Sequence, residues 1–291
     1  MNTFQRQTLA SGGRFAAHSA QGPRTWNADH VAVAEHDFTS AITICDGFGD
    51  NPEAVACARI AAKSAAVAAA HSGMAQVGVA AARATVGAYH QQVPTSQRAT
   101  ATIVTAVLTD WSLDLAWAGD SQAFALTSDK MLHALTVPYH PLRPEPCNVT
   151  DGPVHQRRIW LEYSGGDSSA EVLEISQLLL CSDGLTEKVT YPHIAEVLRG
   201  GAPMPAAICT ELVDLAYTSG AGGNVTVAVI DLPDRTDPGF GAVLQGATAP
   251  LPPRIPSAAV LTLADAPAEV RRRRDRSARR LSPRRVQGYA A

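Results

Sequence analysis

Two apolar runs in this chain end in the same way, and that repetition limits what the chain can fold into more than any other feature. Ala41-Ile42-Thr43-Ile44-Cys45 leads into Asp46-Gly47-Phe48-Gly49, and Leu178-Leu179-Leu180-Cys181-Ser182 leads into Asp183-Gly184-Leu185. A short, nearly continuous apolar run with a turn signal after it reads as a buried strand. Each strand carries a carboxylate to its end, followed by a glycine that gives the backbone conformations other residues resist. Taken singly, an Asp-Gly pair is an ordinary turn. Two of them, each closing an apolar strand, suit a shared site for a hard divalent cation, which takes carboxylate and carbonyl oxygens and keeps several waters.

The rest of the body alternates strand-like and helix-like runs. His30 to Glu35, Ser40 to Cys45, Ala99 to Thr109, Ser112 to Ala118, Gln122 to Thr127, Arg158 to Tyr163, Gln177 to Ser182 and Asn224 to Ile230 read as strands. Asn51-Pro52-Glu53 opens a helix with a capping side chain, a proline at the first helical position and an acid. Alanine-rich sequence extends it to about Ala70, and a second helix is expected over Met74 to Gln91. Two more are expected over Pro192 to Leu198 and Pro205 to Thr218, with a loop over 138–157. Grouped strands and grouped helices indicate an α+β fold.

Charge divides the chain. The net charge of −3 conceals ten arginines against four acids in residues 236–291, a local +6 that leaves −9 for residues 1–235. The 236–291 segment holds seven prolines and ends in Arg271-Arg272-Arg273-Arg274-Asp275-Arg276, Arg279-Arg280 and Arg284-Arg285. It buries too little apolar surface to offset its ordering entropy and is expected to be a disordered basic tail. Such an arm suits an anionic partner. No aromatic residue interleaves with the arginines, which argues against nucleic acid as that partner. No apolar stretch is long enough to span a membrane, and Met1 to Phe15 carries no apolar leader core. Five scattered cysteines, with no Cys-x-x-Cys pair, point to a reducing, cytoplasmic setting.

Other polar residues extend the pattern of the two Asp-Gly ends. Gly119-Asp120-Ser121 lies between two strands and on its own reads as a hairpin turn. Asp29 precedes the first strand, and Arg24 stands five residues before it, with a guanidinium able to grip phosphate oxygens in pairs. In order, the chain presents Gly22-x-Arg24-x-x-Asn27-x-Asp29, Asp46-Gly47-x-Gly49, Arg98-Ala99-Thr100-Ala101-Thr102, Gly119-Asp120-Ser121, Leu179 to Leu185, and Asn224-Val225-Thr226-Val227. This series, over about residues 11 to 232, resembles the metal-dependent, protein phosphatase 2C-like serine/threonine phosphatases of bacterial type.

The resemblance implies a four-layer α-β-β-α sandwich of two antiparallel sheets over residues 1–235, with Mn2+ or Mg2+ at one edge. It implies that Asp46 bridges two metals, that the Gly47 carbonyl binds one of them and that Asp183 holds the second. Asp120 would join a weaker third site, Asp29 would count among the metal-site acids in a supporting role, and Arg24 would receive the phosphate of a phosphorylated protein substrate. The implied chemistry is attack of metal-activated water on phosphoserine or phosphothreonine. One departure weighs against it. Gly223 stands where the family's last motif offers an Asp before the Asn of the final strand. Asp231 is roughly 23 Å further along that strand, at about 3.3 Å per residue, and Asp214 sits mid-helix, so neither replaces it. Ala28 also stands where many members have an acid or amide, and Phe48 where some have a histidine and other bacterial members have other residues. The sequence therefore supports two functions: an active phosphatase, and a pseudophosphatase that binds a phosphoprotein or partner without turnover.

Overall fold

Strands that are apolar at every position need cover on both faces, and the chain supplies it with four layers. The computed structural model describes residues 6–12, 14–137, 147–161, 171–200 and 204–232. One antiparallel sheet runs in the order β1 (Arg6–Gly12), β2 (Phe15–Ala20), β11 (Val225–Asp231), β10 (Ile175–Cys181), β7 (Gln122–Thr127) and β8 (Leu132–Ala134). The other runs β3 (Asp29–His36), β4 (Thr39–Asp46), β5 (Ile103–Leu108), β6 (Ser112–Ala118) and β9 (His155–Trp160). Helices α1 (Pro52–Ser72) and α2 (Ala75–His90) cover the outside of the second sheet. The outside of the first is covered by α3 (Asp183–Thr186), α4 (Tyr191–Arg199) and α5 (Pro205–Thr218).

Alternate residues of one strand enter different cores. Ile42 and Ile44 of β4 meet Phe15, Leu178 and Leu180 between the sheets. Ala41 and Cys45 of the same strand face α1 and α2, and Leu179 and Cys181 of β10 face α5. Each fully buried Ile, Leu or Phe contributes about 1.5–3 kcal/mol. The continuous apolar runs are thus the signature of strands with a hydrophobic layer on each side.

The helix opening is as its residues require. Asn51 caps α1, its Oδ1 accepting from the Ala54 N–H at 2.9 Å, and Pro52 takes the first position. Alanines let the two helices on that face approach closely. A Cβ added to Gly78 of α2 would lie 2.7 Å from the carbonyl oxygen of Ala65.

Several expectations change. Gly119-Asp120-Ser121 is no hairpin turn: β6 and β7 belong to different sheets, and the segment crosses between them. The expected loop over 138–157 is shortened, because β9 begins at His155 and pairs with β6 through Trp117, Ala116 and Leu115. Its polar residues are tolerated on the edge of the sheet. Strands β1, β2 and β8 were not expected. Phe15-Ala-Ala-His-Ser-Ala20 lacks the β-branched residues that mark a strand, and pairing on both sides, with β1 and β11, decides its conformation. The expected basic tail, residues 236–291, lies outside the described residues. None of the described helices is long and apolar enough to cross a membrane.

Candidate metal centre

One end of the sandwich gathers the candidate residues, because the strands that carry them all start or stop there. Asp29 begins β3 and is the register partner of Asp46, the last residue of β4. Asp183 follows β10, opening α3 rather than simply ending a strand. Two of the connections that carry the chain from sheet to sheet at this end hold a candidate: residues 21–28 contain Arg24, and residues 119–121 contain Asp120.

The carboxyl groups of Asp29 and Asp46 are within hydrogen-bonding reach of each other, and so are those of Asp46 and Asp183. Asp120 is further round, close enough to Asp183 to feel its charge. Asp29 is buried and tied across to the other sheet: the fully buried Ser182 donates its hydroxyl to Asp29 Oδ2 at 2.8 Å and accepts from the Thr226 N–H at 3.0 Å. Arg24 is exposed, and its Nε donates to the Gly222 carbonyl at 3.3 Å.

The two glycines after the aspartates serve a purpose different from the one expected. Neither adopts a left-handed backbone. Each is a point of close approach: a Cβ on Gly47 would lie 2.6 Å from the Ala54 carbonyl oxygen, and one on Gly184 would lie 2.0 Å from that of Asn224. Gly184 therefore brings Asp183 against the start of β11, beside Gly223. Conformational freedom matters instead at Gly119, where φ is 111° and Asp120 is turned inward.

Electrostatically the cluster is uncompensated. Burial, and then the charges of Asp29 and Asp183, push the Asp46 carboxyl well above the usual carboxylate range. Burial raises Asp29 and Asp183 too, and Asp120 is pushed up to about 6 by burial and by Asp183. Crowded acids that no basic side chain among the described residues is seen to offset must hold protons or a cation. Two oxygens indicate which: Asp29 Oδ1 and Asp120 Oδ1 are buried with no hydrogen-bond partner. Among the described residues no three His, Cys, Asp or Glu side chains are arranged to hold a metal ion as they stand. An all-oxygen set with so few ready ligands fits a magnesium-like cation, which is held by one or two carboxylates and retains waters.

At Gly223 the expected carboxylate is replaced by open space: an added Cβ would meet nothing within 4 Å. The Tyr217 hydroxyl holds the backbone here, donating to the carbonyls of Ala20 at 3.0 Å and Gly223 at 3.2 Å. Asp231 is at the far end of β11, where Gln177 donates to it, and gives no substitute.

Sequence reasoning placed Asn224 in the last motif without its role as a support of this site, and it missed Asp50 altogether. Asn224 accepts from the Ala28 N–H and donates to the carbonyls of Gln21 and Trp26, binding the Arg24 connection to β11. Asp50 accepts from the backbone of Thr25 and Trp26. Only the sequence proximity of Asp50 to Asp46 could have drawn attention to it.

No protein-family model and no curated protein matches the chain. Solved structures do. The Mycobacterium tuberculosis serine/threonine phosphatase PstP/Ppp superposes with a TM-score of 0.61 at 24% identity, covering 76% of this chain and 99% of that one. The serine/threonine phosphatase Stp1 from Staphylococcus aureus gives 0.61 at 18% identity, covering 78% and 98%. The PstP catalytic domain in complex with two manganese ions gives 0.55 at 21% identity, covering 76% and 98%. The architecture built from these residues, an antiparallel α-β-β-α sandwich with its acids gathered at one end, is accordingly the fold of the bacterial protein phosphatase 2C-like serine/threonine phosphatases.

Proposed function

We propose that the chain is a metal-dependent protein phosphatase acting on phosphoserine and phosphothreonine in cytoplasmic proteins. The observation that carries this reading is the convergence of Asp29, Asp46 and Asp183 at the end of the sandwich from which Arg24 projects. Asp46 and Asp183 would hold Mn2+ or Mg2+ with the Gly47 carbonyl, Asp29 would orient Asp46, and Asp120 would serve a weaker third position. When bound, such cations supply an acidified water nucleophile and neutralise the phosphoryl oxygens. Arg24 keeps its terminal guanidinium nitrogens for the phosphate while Nε holds Gly222. The basic 236–291 segment would engage an anionic partner outside the catalytic step.

The open space at Gly223 favours a second reading, a pseudophosphatase that binds a phosphoprotein without turnover. The two readings separate on p-nitrophenyl phosphate and a phosphothreonine peptide, with and without manganese. The enzyme reading expects manganese-dependent turnover that Asp46→Asn abolishes. Equal background rates for wild type and Asp46→Asn overturn it, and manganese-dependent phosphopeptide binding without turnover supports the second reading.

A further inference from the structure

The connection that carries Arg24 has no regular secondary structure, so something else must fix its distance from the acids. Its own side chains give it some hold: Gln21 Nε2 donates to the carbonyls of Arg24 at 2.7 Å and Thr25 at 3.1 Å within the turn, Arg24 Nε donates to the Gly222 carbonyl at 3.3 Å, and Asn27 Nδ2 donates to the Ser19 hydroxyl at 2.8 Å. Asn224 anchors its two ends, at Gln21 and at Trp26 to Ala28. The middle is held by Asp50. Its Oδ2 accepts from the Thr25 N–H at 3.0 Å and its Oδ1 from the Trp26 N–H at 2.7 Å. Both oxygens are thus used on the two peptides that directly follow Arg24. These hydrogen bonds hold the Asp50 carboxyl below its usual range, with the Arg24 charge adding a smaller effect.

Asp50 is also rigidly connected to the metal-candidate loop. It lies four residues after Asp46, beyond Gly47, whose N–H donates to the Ala28 carbonyl at 3.1 Å, and Phe48, whose N–H donates to the Thr100 carbonyl at 2.9 Å. Asn51, the next residue, is the cap of α1. A carboxylate placed between a capped helix and a pinned loop is a fixed point, and it grips the connection immediately beside the phosphate-reading arginine.

We propose that Asp50 is a positioning residue for phosphate capture, setting the separation between Arg24 and the acidic cluster. The inference rests on the function proposed above. Asp50 touches neither substrate nor cation; it acts through the backbone of residues 24–26. A carboxylate accepting two N–H bonds cannot be replaced by water without freeing the loop, and Asn supplies one acceptor oxygen where Asp supplies two.

The test measures the affinity of the full chain, with saturating manganese, for inorganic phosphate by calorimetry, and KM and kcat for p-nitrophenyl phosphate. Asp50→Ala is expected to weaken phosphate binding and raise KM by about tenfold, with Asp50→Asn intermediate. The value of kcat is expected to stay within about twofold, since a loosened Arg24 weakens capture more than it alters the reacting centre. Manganese affinity and the thermal midpoint are expected to match wild type, and a merely structural role would move these instead. Unchanged phosphate affinity in Asp50→Ala overturns the inference while leaving the proposed function intact, as does a loss confined to manganese affinity. A wild-type protein that binds neither phosphate nor phosphopeptide with manganese overturns both together.

Discussion

Restoring a carboxylate at Gly223 is the sharpest test of how this site departs from the pattern it resembles. Gly223 has no left-handed backbone, and the space beside its Cα is empty to 4 Å, so Gly223→Asp introduces neither strain nor a clash. The backbone contact from Tyr217 to the Gly223 carbonyl does not involve the side chain and survives the change. The new carboxylate would lie one residue from Asn224, whose carbonyl packs on Gly184, and so would stand beside Asp183. Even an indirect partner of a metal is worth about 10- to 100-fold in affinity, and a direct ligand should reach at least the lower figure. Tenfold tighter manganese binding adds about 1.4 kcal/mol of stability once the ion is in excess over its dissociation constant. For a folded body of this size that corresponds to a thermal midpoint about 3–6 °C higher in manganese. Without metal the same variant should be less stable than wild type, since a further negative charge joins acids already raised by crowding. The assay is thermal unfolding across a manganese titration, with calorimetry for the dissociation constant. A folded variant whose manganese midpoint equals that of wild type would refute the argument that Gly223 marks a missing ligand. Tighter binding with no gain in turnover would instead favour the phosphoprotein-binding reading.

Two further predictions follow from the same geometry. Asp29, Asp46, Asp120 and Asp183 all take up protons more readily in the folded chain than in the unfolded one. The stability they contribute is complete below about pH 4 and is lost as pH rises through the raised values, about 6 in the case of Asp120. Asp120 alone, moving from 3.8 to about 6, corresponds to about 3 kcal/mol. Metal-free protein should therefore lose thermal stability between about pH 4 and pH 7, and magnesium or manganese should flatten that slope; a metal-free midpoint that climbs over the same interval contradicts the crowded-acid picture. Gly184→Ala places a methyl 2.0 Å from the Asn224 carbonyl oxygen and should cost about 3 kcal/mol in denaturant unfolding, near the upper end for overpacking, whereas Gly223→Ala should be close to neutral. Equal costs for the two alanines would mean that Asp183 and β11 are not in the contact described.

What the sequence discloses about such a site depends on whether a residue acts through its neighbours in the chain or through distant ones. Asp46 and Asp183 are legible because each ends an apolar run, and the run itself reports a strand covered on both faces. Asp120 is legible as an acid between strands, but not as a crossing between sheets. A hairpin and a crossing have the same local residues, and only the pairing of β6 with β9 and of β7 with β10 tells them apart. The glycines after the aspartates were read for backbone freedom, yet their role is close packing, set by Ala54 in one case and by Asn224, 40 residues away in sequence, in the other. Asp50, Ser182 and Asn224 make their decisive contacts across 24 to 203 residues of chain, and no spacing rule connects a residue with a partner so remote. Their contacts share one physical consequence. The acids are presented by rigid strand ends, whereas Arg24 is presented by an irregular connection that side chains from two other segments, Asp50 and Asn224, help to hold in place. Cation affinity should thus be governed by the carboxylates and by Gly223, and phosphate affinity by the tethers. Substitutions in the two groups should affect separate binding constants, so turnover alone would blur the distinction that paired manganese and phosphate titrations resolve.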